Sequence, residues 1–93
     1  MRELVIPCPE EFYSDTDEAA FFYGLRIIAG IDLAFSDMSG IHLKLCNEVS
    51  SSSIMNLIGL LFRYNVKTSC LTPLAERNSW MKDKDYWYDD MWN

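Results

Sequence analysis

Apolar positions recur along the chain with two periods, and each period predicts a different kind of element. Arg2 to Ile6 is short and rich in β-branched residues, and Pro7 and Pro9 stop it, so it reads as a strand. Ser14, Asp15 and Thr16 are competent N-caps, and Asp17 and Glu18 add first-turn charge of the sign the helix dipole favours. A helix therefore starts there and runs to Gly30, with Phe21, Leu25 and Ile28 as its core stripe, widened by Phe22 and Ala29. Strict alternation follows. Ile31, Leu33 and Phe35, then Ile41, Leu43 and Leu45 across the Asp37-Met38-Ser39-Gly40 loop, predict a hairpin with one apolar face. Asp32, Ala34, His42 and Lys44 fall on the other face.

Ser50 to Ser53 cap a second helix, unusually apolar, with Ile54, Leu57, Ile58, Leu61 and Tyr64 as its stripe. Asn65 suits the left-handed position after that helix. Val66 to Leu71 reads as a last strand, and Pro73, capped by Thr72, as the start of a short helix through about Met81. The order is β-α-β-β-α-β, that of a ferredoxin-like two-layer α+β sandwich. One domain spans residues 1–93, with a core from about 2 to 71 and a C-terminal helix and aromatic-acidic tail over 72–93. The expected strand order is 4-1-3-2, which sets Glu3 on a central strand between Lys44 and Lys67.

Composition narrows the functional classes. Half of the 93 residues are apolar and 24% are charged, the make-up of a globular domain. Fourteen acidic residues against eight basic give a net charge of −6, which argues against a nucleic-acid partner held by phosphate contacts. Three widely spaced cysteines, Cys8, Cys46 and Cys70, suit reduced thiols packed as small apolar groups. The N-terminus lacks a signal-peptide apolar region, and the longest uncharged run, Val49 to Phe62, is too short for a bilayer, so a cytoplasmic, membrane-free protein is expected.

No catalytic constellation emerges. His42, the single histidine, is expected mid-strand on the polar face, with Cys46 roughly 13 Å along the same strand. No nucleophile elbow or glycine-rich oxyanion loop accompanies it. The expected topology separates the cysteines too widely for zinc, so no metal or other cofactor is expected. The serine run lacks the lysine of a phosphate loop and reads as helix capping.

Charge and aromatic rings, by contrast, are concentrated. Residues 1–18 carry a net −5, bordering Phe12 and Tyr13, while residues 19–76 balance to zero. The tail from Trp80 to Trp92 holds all three tryptophans, two tyrosines and four aspartates. Either its rings fold back over the core, or they anchor a partner that the aspartates steer. A division is expected in which Trp80 is structural and Trp92 displayed.

These traits resemble, in composition only, small acidic immunity proteins as a class. The expectation is a non-enzymatic binding module of the immunity or antitoxin type, covering the surface of a basic, nuclease-like toxin domain. Its binding residues are expected to be Glu10, Glu11, Phe12, Tyr13, Asp85, Tyr86, Trp87, Tyr88, Asp89, Asp90 and Trp92. The alternative is a homodimeric regulatory or small-ligand-sensing domain, paired through a sheet edge or the second helix, where Asn56 and Gly59 allow close approach.

Overall fold

A computed structural model of the chain describes residues 2–93. Among them, β1 (Arg2–Ile6), β2 (Ile31–Asp37) and β3 (Gly40–Leu45) form one antiparallel sheet in the order β1-β3-β2. Leu4 and Ile6 of β1 sit opposite Leu43 and Ile41 of β3, so one face is continuously apolar. Helices α1 (Asp15–Arg26) and α2 (Ser51–Arg63) contribute Phe21 and Leu25, and Ile54, Leu57, Ile58 and Leu61, to the core that this face joins.

Both helices begin where their serines predict. Ser14 Oγ accepts from the Asp17 amide at 3.2 Å, and Ser50 Oγ from the Ser53 amide at 3.1 Å. α1 ends at Arg26, four residues before the expected stop, and Gly30 instead takes the left-handed turn into β2 at φ +83°. α2 closes as its asparagine predicts. Asn65 is left-handed at φ 59°, while the Val66 amide reaches back to the Leu61 carbonyl at 2.9 Å, a Schellman closure.

Three expectations are corrected. First, Val66 to Leu71 is not a strand: Thr68–Glu76 forms a 3-10 helix with Pro73 inside it. Thr68, Leu71 and Leu74 are buried at a spacing of three, the period of a 3-10 helix, and Thr68 bonds to Asp90 where a strand would bond to a neighbour. This segment packs against β1, and Arg2 donates to the Pro73 carbonyl at 3.3 Å. β1 is therefore an edge strand, and Lys67 pairs with Asp90 at 3.5 Å rather than with Glu3. The ferredoxin-like order accordingly lacks its last strand.

Second, the helix expected from Pro73 to Met81 is broken. The 3-10 helix gives way at Arg77 and Asn78 to a second short one, Ser79–Lys82, and the Asn78 amide group caps the Leu74 carbonyl at 2.8 Å. Third, Phe35 does not lie under the helices. A bulge between Leu33 and Phe35 shifts the register so that Phe35 opposes His42, which moves its ring to the outer face.

The tail folds back. Met81, Trp87 and Met91 are buried, the last in α3 (Tyr88–Trp92), and Trp80 and Trp92 pack against the core. Cys8 is exposed, unlike the half-buried Cys46 and Cys70, so it does not fit the expected small-apolar packing.

Candidate functional site

The loop between β1 and α1 is shaped by one ring. Phe12 inserts between Phe21 and Phe22 of α1 and Tyr64 after α2, with centroids 5.8, 6.4 and 6.1 Å away. With Phe12 turned inward, Glu10, Glu11 and Tyr13 turn outward, and Tyr13 stands 91% exposed. Together with Asp17 in the first turn of α1 and Arg63, Tyr64 and Asn65 at the end of α2, they line a cavity of about 320 Å³. Three carboxylates, two phenol rings and one guanidinium thus face one hollow. The C-terminal end of α2, where Tyr64 and Asn65 sit, adds the negative end of a helix dipole. This arrangement suits a cationic side chain, held by charge and by the ring faces together.

The tail residues are used differently. Trp87 is only 2% exposed, and its ring meets Trp80 and Tyr86 edge-on at 6.0 and 5.1 Å. Trp92 is half-buried and its indole donates to the Met81 carbonyl at 2.9 Å, which does not match the displayed ring that the sequence suggests. Lys82 and Lys84 lie over Trp92 and Tyr88, so these rings already hold cations of their own chain. Tyr86 is half-exposed. It packs edge-on against Phe62, and its hydroxyl covers Gly59, so the close approach that Gly59 offers is taken within the chain.

Asp85 accepts from the Tyr86 amide at 2.7 Å, and Asp89 from the Asn93 side chain at 2.9 Å, yet both stay exposed. Asp90 does not. It accepts from the Thr68 amide and hydroxyl and pairs with Lys67; burial pushes its carboxyl up, but those partners outweigh burial and hold it below 3.8.

A polar cluster not among the residues expected from the sequence occupies the tip of the β2-β3 hairpin. Ser39 donates to Asp37 Oδ1 from both its amide (2.9 Å) and its hydroxyl (2.6 Å), and His42 Nε2 lies 3.1 Å from the same oxygen. These bonds, that of the Ser39 hydroxyl first, hold the Asp37 carboxyl below its ordinary value. Ser39 and Asp37 meet the same imidazole nitrogen, Nε2, and the serine proton points at the Asp37 carboxylate; Glu3 Oε1 stands 3.6 Å from the other nitrogen, Nδ1, beyond hydrogen-bond reach. A nucleophilic relay needs the serine on one nitrogen and a hydrogen-bonded carboxylate on the other. The cluster works as a turn clasp, and the Asp-x-Ser spacing of an Asx turn is the signal that was available in the sequence. Cys70 is equally unsuited to attack: burial pushes its thiol up to about 11, which keeps it protonated at neutral pH.

No known protein family matches the chain, and no curated protein or solved structure matches it either. No helix of the described residues is long and apolar enough to cross a membrane.

Proposed function

We propose that the chain is an acidic protein-binding module that covers a basic surface on its partner, in the manner of an immunity or antitoxin protein set against a nuclease-like toxin. The observation that carries this reading is the hollow lined by Glu10, Glu11, Asp17, Tyr13 and Tyr64, where three carboxylates against the single Arg63 leave negative charge in excess and offer a lysine or arginine both counter-charge and ring faces. The exposed Tyr13 ring beside it supplies the aromatic anchor typical of binding hot spots. Within the tail, Tyr86, Asp85 and Asp89 keep surface to offer, whereas Trp87 belongs to the core.

The test is the affinity of a labelled peptide of alternating glycine and arginine, read by fluorescence anisotropy. The chain binds it with a salt-dependent affinity, and Glu10→Gln with Glu11→Gln weakens binding by about tenfold, the effect of losing two partly screened charges. An unchanged affinity in that double variant would remove the proposal.

A further inference from the structure

Where β1 begins opposite the end of β3, a second hollow of about 230 Å³ has a different chemistry. Its floor is apolar, made by Leu45, Ile54 and Leu74, all buried in the core. Its rim carries Arg2 from β1 and Arg77 from the break after the long 3-10 helix, with Glu48 as the single acidic group. Although the chain has fourteen carboxylates for eight cations, neither arginine forms an ion pair among the described residues. Arg2 spends one donor on the Pro73 carbonyl, which holds its guanidinium at the rim and leaves further donors of its fork without a partner among the described residues. The walls are held as well. Asn78 is tied to the Leu74 carbonyl at 2.8 Å, and the Cys46 thiol to the Glu48 carbonyl at 3.3 Å.

Two guanidiniums at the rim of a hollow with an apolar floor recognise a planar anion on an apolar body, because the fork matches a carboxylate and the floor takes the hydrocarbon part. The volume falls below the roughly 300–1,000 Å³ of pockets that take drug-sized ligands, which limits the occupant to a small molecule. We propose that this hollow binds a small organic carboxylate, its head on Arg2 and Arg77 and its short apolar chain on Leu45, Ile54 and Leu74. Glu48 at the rim opposes a second negative charge and so favours a monoanion. This site is separate from the acidic hollow, and neither depends on the other.

The probes are 4-methylpentanoate, its neutral amide 4-methylpentanamide, and inorganic phosphate, each titrated into the full chain and followed by backbone amide NMR shifts. The carboxylate produces saturable shifts at Cys46, Asn47 and Asn78, while the amide and phosphate bind at least about tenfold more weakly, lacking the charge and the apolar body respectively. Arg77→Gln at an exposed position leaves the fold intact and lowers carboxylate affinity by about tenfold, Arg77→Lys restores only part of it, and Glu48→Gln raises it. Equal binding of acid and amide, phosphate binding as tightly as the acid, or an unchanged affinity in Arg77→Gln would overturn the proposal.

Discussion

Asp90 stands among four aspartates of the tail, yet it is bonded at 2.8 Å to both the amide and the hydroxyl of Thr68. Replacing it with asparagine is expected to cost about 1.5–3 kcal/mol, the range for hydrogen bonds to a charged group. Its folded carboxyl titrates below its ordinary 3.8, so the unfolded chain takes up the proton first on acidification. The charge therefore stabilises the fold above about pH 4, and that stabilisation is lost as pH falls through the lowered value. Urea denaturation of the wild type and Asp90→Asn should show a stability gap that is wide at pH 6 and narrows below 3.8. Gly40 carries a different constraint. It sits at φ +134°, and a Cβ there would run into the Ile6 carbonyl oxygen, so Gly40→Ala is expected to destabilise by more than about 2 kcal/mol in the same assay.

The elements divide by how local their signals are. Trp87 fills the space between Trp80, Tyr86 and the core, so Trp87→Ala is expected to cost about 3–5 kcal/mol, and Trp92→Ala less because Trp92 is only half-buried. Deleting residues 79–93 removes Met81, Trp87 and Met91 from the core together and should abolish cooperative thermal unfolding. Both long helices and the hairpin are legible in the sequence, because caps and period lie side by side there. The 3-10 helix is not. Its buried Thr68, Leu71 and Leu74 recur over only two intervals, and the apolar Val66 and Cys70 around them mimic a strand. The bulge at Ala34 is equally silent, since no glycine marks it, and it alone decides that Phe35 stacks on His42 at 4.2 Å instead of joining the core. The acidic patch at Glu10–Tyr13 could be seen from charge clustering. Its completion by Asp17 and Arg63 to Asn65 could not, because it depends on where α2 ends in space.

At the scale of the molecule, a net charge of −6 is spread unevenly, and its densest part, residues 1–18, supplies Glu10, Glu11 and Asp17 to one hollow, beside which Phe12 packs on Phe21. The tail's aromatic rings complete the fold, which leaves the Glu10–Tyr13 surface as the main meeting point of acid and exposed ring. Backbone and tyrosine-ring NMR shifts, recorded while the glycine-arginine peptide is titrated into the full chain, test this claim most directly. Saturable shifts are expected only at Glu10–Tyr13, Asp17 and Arg63–Asn65, with the Tyr13 and Tyr64 rings among the largest. Shifts spread evenly over all surface carboxylates, or centred on Tyr86 to Trp92 with Tyr13 unmoved, would contradict it.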